Sequence, residues 1–414
     1  MPAEENPRSA EPQGGTTITP RPTPADPLAA ESVLDLLSDL IRIPSVNPAI
    51  APDEAHGEAA IADFACDWLA RHGVPAHQEA AAPGRPNVVA EVGSGSPTLV
   101  LCGHLDTVGT AGMTIPPFEP RRENGRIHGR GSFDMKGGVA ACMTAAAALV
   151  VGAFRGRVLL ALVADEEYES VGAADFVRRH RADGCILAEA SAGQLVLAHK
   201  GFVWADIVTS GRAAHGSRFD LGVSAIARMG RIVAALDRFD SETLRARTNP
   251  LVGPASLHCS LIRGGVGLST YAPECTLSVE RRTLPGESAD QVAEELRQVI
   301  RGAGEEAEVR IRTSRGPLDT PRDGALARAV RESVEAVTGS PPPDAGVPHW
   351  MDSAIFADAG IPAVNYGPTG EGAHEAVEWV EADSVVSCAR VLAESARRYG
   401  NAMSPARSPS TSST

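Results

Sequence analysis

The sequence predicts an α/β protein: a mainly parallel mixed sheet with helices on both faces, interrupted by a small α+β domain. Three observations support this fold class. Apolar strand-like segments such as "LVLCG" and "LLALVA" alternate with helical segments, which is typical of a parallel sheet covered on both faces. The chain has 414 residues, too many for one ordinary core. Between residues 200 and 316 the order becomes β-α-β-β-α-β, that of a ferredoxin-like unit.

The first part of the chain begins with two helices and continues as alternating strands and helices. The segment "ESVLDLLSDLIRI" starts near Ala29 and repeats apolar residues at helical spacing until Pro44 ends it. The second helix, "EAAIADFACDWLARHG", ends at Gly73. The following segments are predicted as strand, strand, helix, strand, helix and strand: "PNVVAEV", "PTLVLCG", "GGVAACMTAAAALVVGA", "GRVLLALVA", "VGAADFVRRHR" and "GCILAEA".

The middle of the chain supplies the β-α-β-β-α-β unit, and the alternation then resumes. The unit consists of "FVWADIVTSG", "DLGVSAIARMGRIVAALDRF", "ASLHCSLIRGG", "ECTLSVERRTLP", "ADQVAEELRQVIRGAG" and "AEVRIRTS". We therefore expect a larger domain in two pieces, residues 29–199 and 317–401, interrupted by a lid or dimerisation domain at residues 200–316. Residues 1–28 and 402–414 are rich in proline, serine and charged residues, and are predicted to be disordered.

Composition excludes several classes of function. The formal net charge of -14 argues against nucleic acid or an anionic membrane as a partner. The seven cysteines are scattered and form no C-x-x-C motif, which favours a reducing, cytoplasmic compartment over a disulfide framework. No apolar stretch is expected to reach the length of a membrane span, and the first residues lack the apolar core of a signal peptide.

Polar side chains follow several predicted strands directly. His104 and Asp106 end "LVLCGHLD", and Asp134 lies in the glycine-flanked segment "GRGSFDMKGG". At the carboxyl end of strands such residues meet where ligands collect. Imidazole and carboxylate without thiolate is the ligand set of catalytic zinc, cobalt or manganese sites. Alone, each motif has an ordinary alternative: a surface loop pair for H-x-D, and a helix N-cap for Asp134.

Three adjacent carboxylates follow the strand "VLLALVA", and two further candidates complete the set. Asp165, Glu166 and Glu167 repel one another at a buried strand end unless a cation lies nearby, although a solvated charge run is the alternative. Adjacent side chains diverge, so Glu167 can bind a metal while Glu166 faces a bound water. Glu189 ends the next strand, and His374 returns to the same edge late in the chain.

These motifs together resemble a known family. The chain is similar, over about residues 29 to 400, to the acetylornithine deacetylase, succinyl-diaminopimelate desuccinylase, aminoacylase and glutamate-carboxypeptidase family of dinuclear zinc metallohydrolases. The resemblance is carried by "GHLDTV", "GRGSFDMKGG", "DEE", "AEAS", "GRAAHGS", "RTLPGE" and "YGP…AHEAVE". It implies a zinc-peptidase-like catalytic domain, a smaller lid domain that often dimerises, and two divalent ions, zinc by preference or else cobalt or manganese.

The resemblance also implies a role for individual residues. Asp134 would bridge the two ions, with His104 and Glu189 on one and Glu167 and His374 on the other. Glu166 would be the general base, and Asp106 the carboxylate behind His104. His215 would stabilise the oxyanion, reaching across from a partner subunit, and Arg282 would bind the substrate. On the residues alone, His215 could equally be a turn residue and Arg282 an exposed strand-end charge.

The implied reaction is cleavage of the amide bond of an N-acyl amino acid by a metal-bridging hydroxide, with Glu166 as general base. Cleavage of a dipeptide or of a C-terminal residue uses the same site and stays open. A metal-dependent binding protein without hydrolysis is a further alternative, against which the spare Glu166 counts. The segment "GGVGLSTYAPE" and Glu280 depart from the family pattern on the substrate side, so the substrate is less defined than the chemistry.

Overall fold

The computed structural model describes residues 26–54, 56–151 and 154–403. The predicted disordered segments, 1–28 and 402–414, lie outside the described residues except for 26–28 and 402–403. Helices occupy α1 (Ala30–Arg42), α2 (Ala59–Arg71), α3 (Gly137–Val150), α4 (Val171–Arg179), α5 (Ala225–Arg238), α6 (Ala289–Gly302), α7 (Ala325–Thr338), α8 (Ser353–Asp358) and α9 (Ala382–Met403).

Among the described residues, each of the eight predicted strand segments overlaps one of 19 strands. They are β1 (Ala76–Ala82), β2 (Arg85–Ser94), β3 (Thr98–His104), β4 (Arg121–Glu123), β5 (Arg126–His128), β6 (Gly156–Val163), β7 (Gly184–Leu187), β8 (Leu195–His199), β9 (Gly201–Ser210), β10 (Thr248–Asn249), β11 (Gly253–Pro254), β12 (Ser256–Gly264), β13 (Glu274–Thr283), β14 (Glu308–Arg315), β15 (Leu318–Asp319), β16 (Asp344–Val347), β17 (Ala363–Asn365), β18 (Gly370–Glu371) and β19 (Trp379–Glu381).

The central sheet has the order β1-β2-β6-β3-β7-β17-β8-β15, with β16 paired to β8. Its four middle strands, β6, β3, β7 and β17, are mutually parallel. Antiparallel strands flank them on both sides. The predicted mainly parallel mixed sheet is therefore confirmed. Edge strands such as β1 were not predicted, because "AHQEAAA" lacks the apolar pattern of a strand buried on both faces.

Strand β3 shows why the middle strands are continuously apolar. Leu99 and Leu101 pack into a core with α1, α2, α3, α7 and α9, whereas Val100 and Cys102 pack into a second core with α4 and α8. Successive side chains point to opposite faces of a strand, so both faces require apolar residues when helices cover both. Cys102 is thus a packing residue, and all seven cysteines are unpaired.

Helix α3 is the deepest helix of the structure. Its residues from Gly137 to Leu149 are all buried. Together with the preceding π-helical turn Ser132–Lys136 it forms a segment of 19 residues that is long and apolar enough for a membrane span. By length and composition this segment departs from the expectation that no stretch reaches a membrane span, but its backbone is not helical at Asp134 and Met135, and α3 itself has 14 residues. Of the residues in the most apolar window of the segment, 83% are buried within the protein. This is the environment of an interior helix in a folded domain.

A second, four-stranded antiparallel sheet has the order β12-β13-β9-β14. Helices α5 and α6 cover one face of it, against Val203, Ala205 and Ile207 of β9. The intervening residues Phe202 and Trp204 lie on the opposite face. The β-α-β-β-α-β order is the predicted one, and a role for this unit as a lid or dimerisation domain stays a prediction. A smaller sheet, β18-β19-β5-β4, lies beside the start of α3.

Two helical glycines provide a matched test of the packing between α3 and the sheet. A Cβ at Gly138 would collide with the backbone oxygen of Ala188, whereas a Cβ at Gly230 in α5 meets nothing within 4 Å. We expect Gly138→Ala to destabilise the protein by about 1–3 kcal/mol through overpacking. Gly230→Ala should stabilise it by about 0.5–1 kcal/mol, because alanine is the better helix former. Thermal unfolding measures both, and equal melting temperatures would contradict this description of the contact.

Candidate metal centre

Three parallel strands end side by side, and each is followed by a candidate ligand. Strand β3 ends at His104, β6 leads into Glu166 and Glu167, and β7 leads into Glu189. Because β3 pairs in parallel with both β6 and β7, the three carboxyl ends lie at the same edge of the sheet. The sheet topology thus brings together side chains that are up to 85 residues apart in sequence (189 − 104).

Two further ligands reach this edge from outside the central sheet. Asp134 lies in the π-helical turn before α3, and His374 lies between β18 and β19. The Oδ1 atom of Asp134 is 3.2 Å from Nε2 of His104, and its Oδ2 atom is 3.3 Å from Nε2 of His374. One carboxylate oxygen therefore faces each imidazole, which is the arrangement that a carboxylate bridging two cations requires.

Each imidazole has a second carboxylate beside it. Nε2 of His104 is 3.5 Å from Oε1 of Glu189, and Nε2 of His374 is 3.0 Å from Oε2 of Glu167. Oε2 of Glu166 lies 4.0 Å from Nε2 of His104. The ligand atoms of two overlapping groups lie within 4.8 Å of one another: His104, Glu166 and Glu189, and His104, Asp134 and Glu167.

The electrostatics of this cluster favour positive charge. Burial raises the pKa of Glu166 well above its usual range, and the charge of Glu189 adds to the effect. Burial also raises the pKa of Glu189 to about 8, against the opposing influence of His104. Hydrogen bonds to Asp134 and Glu167 raise the pKa of His374 to about 10. Crowded carboxylates that favour protons in this way also favour a divalent cation.

The donor set fits two divalent ions. It consists of imidazole nitrogens and carboxylate oxygens, and the nearest thiol in sequence, Cys102, is packed in the core. Such donors suit zinc, cobalt or manganese in a catalytic site rather than a closed structural zinc site. Five residues would hold the ions: His104, Asp134, Glu167, Glu189 and His374.

Asp106 holds the adjoining turn in place. Its carboxylate accepts hydrogen bonds from Nδ2 of Asn47 at 2.7 Å and from the backbone amides of Glu166 and Glu167 at 3.1 and 3.2 Å. The ring of His104 contacts Asp106 mainly through the backbone oxygen, 2.9 Å from Nδ1, while Oδ1 is 3.6 Å away. A carbonyl oxygen only accepts, so Nδ1 donates and Nε2 is free to bind a metal.

A buried polar network behind this turn was missed in the sequence. Arg85 pairs with Glu58 at 2.6 Å and with Asp165 at 2.7 Å, and Asn47 donates to Asp165 at 3.0 Å. Burial raises the pKa of Glu58 to about 7, with the charge of Asp106 adding to it and Arg85 opposing it. These residues share no motif or spacing, so only the fold reveals that they act together.

Glu378 was also missed, although it lies in the quoted "AHEAVE" motif. Its carboxylate accepts hydrogen bonds from the backbone amides of Gly131, Phe133 and Asp134 at 2.9–3.0 Å, and from Nη1 of Arg130 at 2.8 Å. It is buried beneath the turn that carries Asp134. The four-residue spacing from His374 was the available signal, since it places an acid on the same loop.

The structure brings only one of the two predicted lid residues to the cluster. Arg282 lines the same cavity as Asp134, Glu166 and His374. His215 does not line that cavity. Its exposed ring instead lies 2.9 Å from Oγ of Ser217.

Comparison with known proteins agrees with this geometry. A model of peptidase family M20/M25/M40 matches residues 100–398. The acetylornithine deacetylase of Vibrio cholerae is 27% identical over 375 residues, which cover 89% of this chain and 98% of that enzyme. The succinyl-diaminopimelate desuccinylase of Xanthomonas oryzae is 29% identical over 374 residues, covering 84% of this chain and 93% of the relative.

Solved peptidase structures share the fold. Aminopeptidase PepT from Bacillus cereus has a TM-score of 0.73 at 19% identity, over 90% of this chain and 99% of its own. A dinuclear metal binding peptidase of family M20 from Bacillus subtilis has a TM-score of 0.68 at 17% identity, over 89% and 97% of the two chains.

The role of Glu378 can be tested with a neighbouring acid as the control. Glu378→Gln should cost about 3 kcal/mol of stability, because it leaves the buried Arg130 without its charge partner. It should also lower the metal content, since the turn that carries Asp134 loses its anchor. Glu375→Gln alters an exposed acid of the same loop and should change neither property. Thermal unfolding and elemental mass spectrometry measure these effects, and identical results for the two variants would refute the assignment.

Proposed function

Because this chain belongs to peptidase family M20/M25/M40 and is a hydrolase of amide bonds, we propose that it removes the acyl group from an N-acyl amino acid. The observation that carries the proposal is the cluster around Asp134, where two imidazoles and four carboxylates converge in a large cavity. The names of the deacetylase and desuccinylase relatives favour an acylated amino acid over a dipeptide or the C-terminus of a peptide.

The proposed metal ligands divide into two sets that share Asp134. His104 and Glu189 would hold one ion, and Glu167 and His374 the other. Two divalent ions, zinc by preference, would lower the pKa of a water molecule and polarise the carbonyl of the scissile amide. Asp106 would keep His104 oriented and the turn of Glu167 in place.

Glu166 would move the proton. It lines the cavity beside the ligands, and its Oε2 atom, 4.0 Å from Nε2 of His104, is the most distant of the carboxylate oxygens named beside the imidazoles. A carboxylate in this position can take a proton from the attacking water and deliver it to the leaving amine. Because burial raises its pKa, Glu166 holds a proton more readily than an exposed glutamate does.

A homodimer would complete the site. His215 lies outside the cavity of its own chain and forms an isolated β-bridge with Thr270, in the loop that follows the edge strand β12. Leu261 and Ile262 of that strand are exposed, and so are Val266 and Leu268 of the following loop. An unpaired strand edge with exposed apolar residues supports association with a second copy, which would bring its His215 to the oxyanion. The unpaired cysteines support a reducing, cytoplasmic location.

Variants of the adjacent residues Glu166 and Glu167 distinguish the proposed general base from a proposed metal ligand. Glu166→Gln should retain two ions per chain but lose at least about a hundredfold in kcat, the usual contribution of a general base. Glu167→Gln should lose metal as well as activity. The measurements are elemental mass spectrometry and release of free amine from N-acetyl and N-succinyl amino acids, with added zinc, cobalt or manganese. Full activity of Glu166→Gln would exclude it as the base, and a wild-type protein without metal would exclude the centre itself.

Mixing two inactive variants tests whether His215 acts across a dimer. His215→Ala and Glu166→Gln should each be inactive alone. In a heterodimer, one site would combine an intact Glu166 with an intact His215 from the other chain. A random mixture of symmetric dimers should then regain about a quarter of wild-type activity. Light scattering confirms the dimer, and a fully active monomer or a mixture without recovery would refute this arrangement.

A further inference from the structure

The cavity beside the candidate metal ligands around Asp134 has a volume of about 1200 Å³. The open face of the second sheet lines one side of it. Beyond the proposed ligands and Glu166, its lining is dominated by aromatic and cationic side chains. This composition bears on which N-acyl amino acid the enzyme accepts.

Three aromatic rings form one continuous surface, which we call the aromatic wall: Phe202, Trp204 and Trp350. The ring centroids of Phe202 lie 5.0 Å from Trp204 and 5.9 Å from Trp350. The indole nitrogens are already satisfied, Trp204 by Glu280 at 2.8 Å and Trp350 by the carbonyl oxygen of Gly316 at 3.1 Å. Since their polar atoms are engaged within the protein, these rings offer the ligand their apolar surfaces.

Four arginines line the same cavity, and they are not equivalent. Three of them pair with a carboxylate of the protein: Arg178 with Asp175 at 2.8 Å, Arg282 with Glu280 at 2.7 Å, and Arg312 with Asp206 at 3.8 Å. Arg315 has no carboxylate oxygen within 4.0 Å among residues 26–54, 56–151 and 154–403. Its Nη2 donates instead to the backbone oxygen of Glu169 at 2.8 Å, and its guanidinium lies 5.9 Å from the ring of Trp350.

Acids are scarce in this lining. Outside the metal cluster, Glu169 is the single carboxylate among the described residues of the cavity. Three of the four arginines are already paired with a carboxylate, so a cationic side chain such as that of ornithine would be repelled mainly by Arg315 and would meet one exposed carboxylate, Glu169. Repulsion between like charges disfavours such a ligand near Arg315, whereas an anionic group meets an arginine that attracts Asp352 and Asp358 at longer range but forms no ion pair with a described residue.

We propose that Arg315 binds the α-carboxylate of the substrate while the aromatic wall packs against the side chain of the substrate. The enzyme would therefore select N-acyl aromatic amino acids. This inference rests on the proposed amide hydrolysis and names the substrate class for it. Arg315 would have the substrate-binding role that the family resemblance implied for Arg282. The guanidinium of Arg282 is already engaged by Glu280. The guanidinium of Arg315 lies 5.9 Å from the ring centroid of Trp350, so the two side chains would contact neighbouring groups of one molecule.

Three substrates separate the two contacts: N-acetyl-L-tryptophan, its carboxamide, and N-acetyl-L-ornithine. Wild-type kcat/KM, measured as release of the free α-amine, should be highest for N-acetyl-L-tryptophan, by about tenfold or more. Arg315→Ala should lower it about 10- to 100-fold for the carboxylate, as loss of a charged hydrogen bond does, and barely change it for the carboxamide. Arg310→Ala, on the same strand but outside the cavity and paired with Glu308, should leave both unchanged.

The aromatic contact has its own variant. Trp350→Leu keeps an apolar side chain but removes the ring, and should lower kcat/KM for N-acetyl-L-tryptophan up to about tenfold relative to N-acetyl-L-alanine. Higher kcat/KM for N-acetyl-L-ornithine than for N-acetyl-L-tryptophan would overturn the proposal. So would an equal effect of Arg315→Ala on the carboxylate and the carboxamide, which would indicate a structural role. If Arg315→Ala does not fold, Arg315→Lys tests the same discrimination.

Calorimetry on Glu166→Gln separates this inference from the proposed function. If no substrate is hydrolysed, the proposed function fails, and binding alone decides the inference. Tighter binding of N-acetyl-L-tryptophan than of its carboxamide or of N-acetyl-L-ornithine would support the inference, provided that the double variant Glu166→Gln, Arg315→Ala loses this preference. Equal affinities for the three compounds would overturn it.

Discussion

The mutual repulsion of four crowded, largely buried carboxylates at one sheet edge is the constraint on which the rest of the site depends. Glu166, Glu167 and Glu189 follow neighbouring strands and meet Asp134 within a few ångströms. Burial raises the pKa of Glu189 to about 8, so keeping these groups charged and together costs free energy. Two divalent ions would offset that cost, and the same ions would supply the chemistry. The arrangement of these groups therefore favours a bound cation.

The protein holds this cluster mainly through backbone hydrogen bonds from behind. Asp106 accepts two amides of the turn that carries Glu166 and Glu167, and Glu378 accepts three amides around Asp134. Each supporting acid therefore fixes a short stretch of main chain, and the ligand position follows from it. Buried acceptors that are fully engaged in this way rigidify a site, whereas removing one leaves several donors unsatisfied at once.

Under the proposed function, chemistry and substrate choice would come from different parts of the fold. The metal cluster belongs to the central sheet and its loops, whereas Phe202, Trp204 and Arg315 lie on the open face of the second sheet. A substrate between the two would contact both, so a change in the second sheet can alter specificity without disturbing the ligands. The departures from the family pattern that were visible in the sequence also fall in the second unit, which is consistent with this separation.

The parallel sheet and the candidate ligands at its edge could be predicted from the sequence, because both depend on local signals. Continuous apolar segments mark the buried strands, and polar residues directly after them are brought together by parallel pairing. Only the tertiary structure decided what surrounds them. Arg85 carries no local signal for its role, the spacing of Glu378 from His374 does not show which amides it accepts, and Arg282 and Arg315 look alike until Glu280 is seen to engage the first. Contacts between residues distant in sequence depend on how the elements pack, and that packing cannot be read from local patterns in one amino-acid sequence.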